Sequence, residues 1–424
     1  MLQNLSLYLR PIRRFSIAAR SLSASLPCID TPTSSSSSCD SGNNGNNEGL
    51  SNVSLKIKPR LEEPALIKLK KERDPDKLFK LFKDNAHNRL VIANKYAFED
   101  TVSRLAGARR FDYVEHLLEH QKSLPQGQRE GFIVRIIMLY GKAGMIEHAM
   151  STFFDMHLFG CKRTVKSLNA ALKVLTQTRD LAAMQEFLEE IPWKFGIRLD
   201  VISVNIVISA LCGMGKLDKA YLVMGEMERA GIKPDVVTYT TLISAFYKSG
   251  RWEIGNGLWN LMIIKGCYPN VATFNARIQF LVSKGRAWQA NDMLRLMEDL
   301  EMCPDEVSYN LVIKGFCQAG FLDMAKRVYS ALHGRGYKAN IKIYQTMVHY
   351  LCEAGDFDCA YSLCKDCMKK NWILNVDTIC TLLKGLMIIG KVDKAGMIVG
   401  FADKRHPPFS PRQLDAFKSI IAHR

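Results

Sequence analysis

The chain has 424 residues, of which 47% are hydrophobic, and 58 lysines and arginines outnumber 42 aspartates and glutamates to give a formal net charge of +16. Only +3 of that charge falls in residues 1–58, so the rest of the chain is itself basic and favours a polyanionic partner, either nucleic acid or an acidic membrane surface. No stretch approaches the roughly 18 apolar residues of a transmembrane helix, so no membrane span is predicted.

The first 29 residues are typical of an organelle transit peptide, because they are basic, lack acidic residues and place apolar residues at helical spacing. The basic residues are Arg10, Arg13, Arg14 and Arg20, and the apolar ones are Leu2, Leu5, Leu9 and Ile12. Such early arginines favour the mitochondrion over the chloroplast, and an ordinary basic tail is the alternative interpretation. Residues 30–58, which are rich in serine and asparagine, are predicted to be a disordered low-complexity linker.

Residues 59–94 are predicted to form a helical cap or partial repeat, and from Lys95 onward the chain repeats itself. A glycine recurs at a fixed interval of 35 residues. These glycines are Gly215, Gly250, Gly285, Gly320, Gly355 and Gly390, and Gly144 joins them if one extra residue is allowed. A fixed period of this size indicates stacked repeats.

Each repeat is predicted to be a helix, a turn, a second helix and another turn. The glycine follows a stretch with helical apolar spacing and suits a left-handed helix stop, and a small residue comes soon after it, where two helices can approach closely. The predicted fold is all-α, an α-α superhelix (solenoid) of about nine 35-residue helix-turn-helix repeats with terminal caps. The repeats are 95–129, 130–164, 165–200, 201–235, 236–270, 271–305, 306–340, 341–375 and 376–410, followed by a capping helix in 411–424.

The twelve cysteines do not indicate a disulfide framework, because several of them follow the repeat. Cys212, Cys317 and Cys352 share the twelfth place of their repeats, where a small apolar side chain is expected in the core. Cys364 and Cys367 form one CxxC pair, but a structural zinc ion needs four ligands and no second pair is evident, so zinc binding is the less favoured alternative. We therefore expect no metal and no cofactor.

The openings and closings of the repeats distinguish a protein-binding tetratricopeptide repeat from its nucleic-acid-binding relative. The segments 237–243, 272–275 and 307–310 (VTYTTLI, ATFN and VSYN) and the closings 233–235 and 303–305 (KPD and CPD) resemble the signature of the pentatricopeptide repeat. The uniform repeat length resembles the P subclass. Three further segments, 72–77, 141–144 and 161–167, resemble a plant mitochondrial subgroup of short members, some of which are associated with the mitochondrial ribosome.

This resemblance implies that single-stranded RNA lies along a concave face, one base per repeat, with the N-terminal repeats toward the RNA 5′ end. The residue in fifth place then contacts the Watson–Crick edge of the base, and the residue in last place orients it. The matching pairs are Asn169 with Asp200, Asn205 with Asp235, Thr240 with Asn270, Asn275 with Asp305, and Asn310 with Asn340. By the family's pairing rule they resemble readers of U, U, A, U and a pyrimidine. Aliphatic residues in second place would sandwich the bases, here Ile202, Val237, Ala272 and Val307.

Four repeats depart from this pattern. Glu99 with Arg129, Val134 with Thr164 and Cys380 with Ser410 match no readable pair, and Gln345 with Asn375 is ambiguous. Lys166 also replaces the aliphatic residue in second place of the repeat that begins at Val165. Five repeats are therefore expected to read bases, and unconventional contacts or a partner would supply the remaining specificity.

Several of these residue types also have a purely structural explanation. An aspartate before a helix caps it with or without RNA, so capping and base orientation are expected to coexist at Asp235 and Asp305. Lys142 and Lys248, near the ends of first helices, could meet phosphates or be ordinary surface lysines. The fourth-place aromatic residues are expected to pack in the core, and these are Tyr239, Phe274, Tyr309 and Tyr344.

No enzyme motif is evident in the sequence, which lacks a glycine-rich phosphate loop, an HExxH motif and an H-x-E upstream of a CxxC. His116 and His120 lack a third metal ligand, and the short segment after Arg412 leaves no room for a nuclease domain, so we predict no catalysis. The leading hypothesis is a monomeric mitochondrial protein that binds single-stranded RNA for processing, stabilisation, splicing or translation. The alternatives are a mitochondrial ribosome-associated subunit that contacts rRNA and ribosomal proteins and, less favoured, a protein-binding scaffold.

Overall fold

A computed structural model describes residues 64–334, 337–405 and 409–422. Within these residues the chain forms twenty-two α-helices and three short 3₁₀ turns and contains no strand, which confirms the predicted all-α class of tandem helices. The helices group into two compact units, whose boundary in the sequence lies between Val174 and Leu175. The predicted transit peptide and low-complexity linker lie outside the described residues.

The first unit begins with three short helices and continues with less regular helix pairs. Its helices are α1 (Pro64–Lys71), α2 (Pro75–Asp84), α3 (Arg89–Ala93), α4 (Lys95–Gly107), α5 (Phe111–Ser123), α6 (Glu130–Ala143), α7 (Ile146–Phe154) and α8 (Val165–Leu175). The 3₁₀ turns Pro125–Gln128 and Met156–Phe159 follow α5 and α7. The helix α7 has only 9 residues, whereas a typical second helix of a pair in the second unit has 13. The 3₁₀ turn after α7 therefore lies where such a helix would continue.

Two arginines fasten the short N-terminal helices to the first repeats. The guanidinium of Arg104 donates hydrogen bonds to the carbonyl oxygens of Glu72 and Leu69, the latter at 2.6 Å. The guanidinium of Arg135 donates to the carbonyl oxygens of Ile92 at 2.7 Å and Asn94 at 2.9 Å. Both arginines therefore satisfy carbonyl groups at helix ends, which would otherwise lack partners.

The second unit consists of helix pairs of nearly constant length. Its helices are α9 (Leu181–Phe195), α10 (Val201–Gly213), α11 (Leu217–Arg229), α12 (Val236–Lys248), α13 (Trp252–Ile264), α14 (Val271–Ser283), α15 (Ala287–Asp299), α16 (Glu306–Gln318), α17 (Leu322–Gly334), α18 (Ile341–Glu353), α19 (Phe357–Lys369), α20 (Val376–Ile388), α21 (Val392–Asp403) and α22 (Pro411–Ala422). Every helix from α10 to α20 has 13 residues. This constancy places equivalent residues at equivalent points of successive helices.

Local chemistry sets both ends of several first helices. At the start of α12, the carboxylate of Asp235 accepts a hydrogen bond from the Thr238 N–H at 2.8 Å, and the Thr238 hydroxyl accepts one from the Asp235 N–H at 3.1 Å. Such a capping box contributes about 1 kcal/mol to helix stability. The same box joins Asp200 to Ser203, Asn270 to Thr273 and Asp305 to Ser308. At the other end, the recurring glycines have φ angles between 69° and 80°, which confirms the predicted left-handed stop.

In the repeat 236–270, the residue in twelfth place packs against the small residue that follows the stop glycine. In the repeat 236–270 the twelfth residue is the large Tyr247, and a Cβ atom added to Gly255 would lie 2.5 Å from Cε1 of its ring. Where the twelfth residue is smaller, as at Cys317, the small residue is alanine, here Ala325, which is fully buried. The glycine at 255 is thus fitted to the tyrosine at 247.

The core contains the side chains that the repeat pattern placed there. The fourth-place aromatic residues Tyr239, Phe274, Tyr309 and Tyr344 are each at most 2% exposed, which confirms that prediction. Burial raises the pKa of the Cys317 and Cys352 thiols to about 12, so both stay protonated and act as small apolar groups, whereas Cys212 is half-buried.

Two further properties concern metals and membranes. No described residues bring three or more histidine, cysteine or acidic side chains together in a way that could hold a metal ion. No helix in the described ranges is sufficiently long and apolar to cross a membrane.

Candidate functional site

Two of the predicted base-reading pairs are joined by direct hydrogen bonds. The amide Nδ2 of Asn205 donates to Oδ1 of Asp235 at 3.0 Å, and its Oδ1 accepts from the hydroxyl of Thr238 at 2.6 Å. The pair thus connects the first helix of one repeat, α10, to the capping box of the next first helix, α12.

The same arrangement recurs two repeats later. Nδ2 of Asn275 donates to Oδ1 of Asp305 at 3.1 Å, and Oδ1 of Asn275 accepts from the hydroxyl of Ser308 at 2.6 Å. The corresponding distances at the two sites agree within 0.1 Å, because the helices that carry them have the same length and the same caps. The repeat therefore holds both amides in one orientation.

The intervening pair uses a hydroxyl in place of an amide. The hydroxyls of Thr240 and Thr273 lie 2.7 Å apart and share a hydrogen bond, while the side chain of Asn270 accepts from the Thr273 N–H at 3.0 Å. Thr240 and Asn270 are therefore linked through Thr273, which packs between them at the start of α14.

The fifth predicted pair is arranged differently. Oδ1 of Asn310 accepts a hydrogen bond from the Thr346 hydroxyl at 3.0 Å, whereas Asn340 caps α18 by accepting from the Ile343 N–H at 3.1 Å. The third place of the next repeat, 341–375, holds Ile343, which has no hydroxyl to offer Asn310. The amide of Asn310 consequently bonds to a threonine one turn further along α18.

The first predicted pair is divided between the two compact units. Asn169 lies on α8 and is 8% exposed, and Asp200 caps α10 by accepting from the Ser203 N–H at 2.8 Å. Capping by the last-place residue therefore occurs at Asp200, Asp235, Asn270, Asp305 and Asn340, as the sequence predicted for Asp235 and Asp305.

Capping and pairing keep the two paired aspartates ionised. Burial raises the pKa of Asp235, but the hydrogen bonds that its carboxylate accepts from the Thr238 N–H and the Asn205 amide outweigh burial and lower it below its usual value. The pKa of Asp305 is lowered in the same way by Ser308 and Asn275. Each site therefore combines a neutral amide with a negative carboxylate at neutral pH.

The second-place residues stand beside these pairs and are open to solvent. Ile202, Val237 and Val307 are 59%, 56% and 49% exposed, and Ala272 is exposed as well. Because one face of each of these aliphatic side chains is open to solvent, that face can pack against the flat ring of a base. Lys166, in the same place of the preceding repeat, is also exposed.

The repeats that departed from the sequence pattern differ in the structure too. The amide of Gln345 is engaged on both sides, since its Nε2 donates to the Thr378 hydroxyl at 2.6 Å and its Oε1 accepts from the Asn375 N–H at 2.7 Å.

Of the two candidate phosphate contacts, Lys142 lies 3.4 Å from Oε2 of Glu99, and Lys248 is exposed.

Sequence reasoning missed the residue in third place. The hydroxyls of Thr238, Thr273, Ser308 and Thr378 each bond to the fifth-place side chain of the preceding repeat, at 2.6 to 2.7 Å. The signal was present as a serine or threonine three residues after most last-place residues, which is the spacing of a capping box, although Ile343 takes that place after Asn340.

Comparison with known proteins gives consistent matches across the repeats. The chain matches the model of the PPR repeat family at residues 199–248, 234–283 and 269–318. It matches the model of the PPR repeat at residues 135–161 and 307–337. Among solved structures, the pentatricopeptide repeat protein PPR10 from maize aligns with 82% of this chain and 57% of that chain, at 18% identity and a TM-score of 0.48.

Three relatives from Arabidopsis thaliana match this chain at 33% to 65% identity. A small ribosomal subunit protein, mL103 (rPPR7), is 33% identical over 83% of this chain and 85% of that protein. A mitochondrial pentatricopeptide repeat-containing protein is 65% identical over 41% of this chain and 44% of its own length. The small ribosomal subunit protein mS79 (rPPR3b) is 38% identical over 40% of this chain and 43% of its own length. The chain thus matches less than half the length of the last two.

Proposed function

This chain belongs to the pentatricopeptide repeat family, and from that premise we propose that it binds single-stranded RNA in the mitochondrion and reads one base with each of five repeats. The premise follows from a relative that is 33% identical over 85% of its length. The proposed readers are the pairs that begin at Asn169, Asn205, Thr240, Asn275 and Asn310, with U, U, A, U and a pyrimidine as their bases.

The observation that carries this proposal is the recurrence of one hydrogen-bonded pair at Asn205 and Asn275. After its bonds to Asp235 and Thr238, the Asn205 amide keeps one N–H and one acceptor position unused. The edge of uracil offers carbonyl acceptors beside an N–H donor, which complements an amide. Because the amide is held at both ends, it is already oriented before RNA arrives, and this reduces the entropy lost on binding.

The exposed second-place residues supply the other half of each base site. A base between Ile202 and Val237 would be covered on both faces by aliphatic side chains that are now open to water. Stacking contributes roughly 1–3 kcal/mol per base for aromatic partners, and aliphatic contacts act in the same sense through buried apolar area.

The test replaces the two amides together. In the variant Asn205→Ala with Asn275→Ala, affinity for an oligonucleotide that contains UUAUY should fall at least about 10-fold, and preference for U over C at the two corresponding bases should disappear. The matched control is Asn260→Ala, since Asn260 is an exposed asparagine on α13. Unchanged binding and unchanged base preference in the double variant would leave the proposal without support.

We further propose that residues 1–29 are a mitochondrial transit peptide, that 30–58 are a linker, that 59–94 and 411–424 cap the array, and that 95–410 form nine repeats. The mitochondrial description of the relative that is 65% identical supports the location. Import of the full chain into isolated mitochondria, followed by sequencing of the mature N-terminus, tests the first boundary. An N-terminus that remains at Met1 after import would contradict the transit peptide.

We propose that the chain acts by occupying RNA, without a catalytic step. The paired amides, hydroxyls and ionised carboxylates have the chemistry of base recognition, which supports binding as the activity. Incubation of labelled UUAUY-containing RNA with the protein and Mg²⁺ should leave the RNA intact. Cleavage that the Asn205→Ala, Asn275→Ala variant abolishes would contradict this.

A second candidate function is that of a protein associated with the mitochondrial ribosome. It is favoured by the relatives mL103 and mS79, which are described as small ribosomal subunit proteins. Sedimentation of the tagged protein from mitochondrial extract separates the two candidates. Migration with a ribosomal subunit at high salt would support the second candidate, and migration away from it, with RNA that is enriched in UUAUY sites, would support the first.

A further inference from the structure

A groove in the first unit has the features of an additional base-binding site. Its cavity of about 720 Å³ lies beside α1 and α4. The residues that matter for its chemistry are Lys70, Arg73, Tyr96, Glu99, Arg104 and Lys142. We call it the first-repeat groove, because Tyr96 and Glu99 belong to the repeat 95–129, which matched no readable pair.

The ring of Tyr96 is open to solvent in this groove. Tyr96 is 81% exposed, whereas fourth-place aromatic residues such as Tyr239 and Tyr309 are buried. Tyr96 occupies the second place of its repeat, where Ile202 and Val237 stand in later repeats. An exposed flat ring at this place can stack against a nucleobase, and such stacking strengthens binding roughly 5- to 150-fold per base.

Glu99 stands in fifth place, one helical turn after Tyr96 and on the same face of α4. Lys95 Nζ lies 3.8 Å from one oxygen of its carboxylate, and Lys142 Nζ lies 3.4 Å from the other. A carboxylate has about four acceptor positions, so these two loose ion pairs leave it able to accept two more hydrogen bonds. The neighbouring Asp100 is paired with Arg104 at 2.8 Å.

Guanine is the base whose hydrogen-bond donors match a carboxylate with two free acceptor positions. Its Watson–Crick edge presents two adjacent donors, the N1–H and the exocyclic amino group, which can bond to the two oxygens of one carboxylate. The corresponding edges of adenine, cytosine and uracil each present a single donor group beside acceptors, and acceptors are repelled by a carboxylate. Lys70, Arg73 and Lys142 provide positive charge for the phosphates on either side of the base.

We propose that the first-repeat groove binds a guanine of the same RNA strand, stacked on Tyr96 and held at its Watson–Crick edge by Glu99. This inference rests on the proposed function, because it adds a sixth base to the strand that the later repeats bind. It also assigns a base to the repeat 95–129, for which the pairing rule gives none.

The experiment moves a single guanine through an adenosine flank on the 5′ side of UUAUY and measures affinity by fluorescence anisotropy with the full chain. At one position the guanine should strengthen binding at least about 5-fold. Inosine, which lacks the amino group, should recover only part of this gain, whereas 7-deazaguanine, whose Watson–Crick edge is intact, should recover all of it.

Matched variants assign the gain to the two side chains. Tyr96→Val should remove the gain, and Tyr96→Phe, which keeps the ring, should retain it. Glu99→Gln should abolish the preference for guanine over adenine at that position. Thermal unfolding by circular dichroism should be nearly unchanged in all three, because Tyr96 is exposed and the two ion pairs of the half-buried Glu99 are long.

The outcomes separate this inference from the proposed function. If wild-type protein binds UUAUY but no guanine position changes affinity more than two-fold, the inference is wrong and the proposed function stands. If wild-type protein fails to bind UUAUY, the proposed function falls and the inference falls with it. If Tyr96→Val keeps the guanine gain but detaches the chain from a protein complex in mitochondrial extract, the groove binds a protein and the inference is wrong.

Discussion

At the scale of single residues, a buried hydroxyl in one repeat orients the proposed base-reading amide of the repeat before it. The Thr238 hydroxyl is 2.6 Å from Oδ1 of Asn205, and Ser308 bears the same relation to Asn275. The same hydroxyls complete the capping boxes of α12 and α16. One side chain therefore serves both the stability of a helix and the geometry of a candidate base site.

Removal of the Thr238 hydroxyl tests this double role. Thr238→Ala should destabilise the chain by about 1 kcal/mol, because the hydrogen bonds to Asn205 and to the Asp235 N–H are lost. It should also weaken the preference for U over C at the base opposite Asn205, because the amide is then held only by Asp235. Thr238→Ser should preserve both properties. Thermal unfolding and competition with singly substituted oligonucleotides measure the two effects, and equal base preference in the two variants would contradict the orienting role.

The ionisation of Asp235 makes the stability of the fold depend on pH. Its native pKa is below the usual value of 3.8, so its ionised form stabilises the fold above the unfolded pKa, and that stability is lost as pH falls through the lowered native pKa. Asn270 forms the same capping box at the equivalent place of the next repeat. Asp235→Asn should therefore change the free energy of unfolding at pH 7 by less than about 0.5 kcal/mol.

The difference between wild type and Asp235→Asn should appear on acidification. Below about pH 4 the wild type should lose more stability than the variant, because only the wild type must protonate this carboxylate. Urea unfolding at a series of pH values measures this difference and cancels the titration of other acids. Parallel curves for the two proteins would show that the carboxylate is not held in its ionised form.

At the scale of helices, the fit between Tyr247 and Gly255 illustrates how one repeat adjusts two places together. Gly255→Ala would place a methyl group against the Tyr247 ring, and overpacking of this kind costs about 1–3 kcal/mol. Gly257→Ala is the matched control, because a Cβ there meets no atom within 4 Å, and it should stabilise α13 by about 0.5–1 kcal/mol.

A second substitution checks the cause. When Tyr247 is replaced by valine, as at Val282, the cost of Gly255→Ala should largely disappear, so the double-mutant cycle should give a coupling energy of at least about 1 kcal/mol. Equal effects of Gly255→Ala in the two backgrounds would show that the ring is not the obstacle.

The helices themselves were largely predictable from the sequence, because their signals are local. A glycine with positive φ, an aspartate or asparagine cap and a fourth-place aromatic residue each act within a few residues, and α12, α14, α16 and α18 carry all three. The hydrogen bonds of the site were harder to predict. Asn310 turns to Thr346 because Ile343 replaces the third-place hydroxyl, and this choice depends on a side chain of the next repeat.

At the scale of the whole molecule, the positive charge and the proposed base sites should contribute separately to binding. The net charge of +16 attracts RNA of any sequence, whereas the paired amides are proposed to respond to individual bases. For single strands, affinity falls with a slope of about −0.7 per neutralised phosphate in a double-logarithmic plot against salt concentration. With about five phosphates neutralised, one per reading repeat, affinity should fall roughly 100-fold between 50 and 200 mM salt.

The ratio of two affinities isolates the contribution of the bases. UUAUY and an oligonucleotide of the same length with C at the two bases opposite Asn205 and Asn275 carry the same phosphates, so salt should weaken both equally and leave their ratio constant. In the Asn205→Ala, Asn275→Ala variant, the ratio should approach one at every salt concentration while the slope stays unchanged, because no cation has been removed. Titrations at four salt concentrations measure slope and ratio together. A ratio that shrinks as salt rises would mean that charge, and not hydrogen bonding to base edges, produces the preference for uracil.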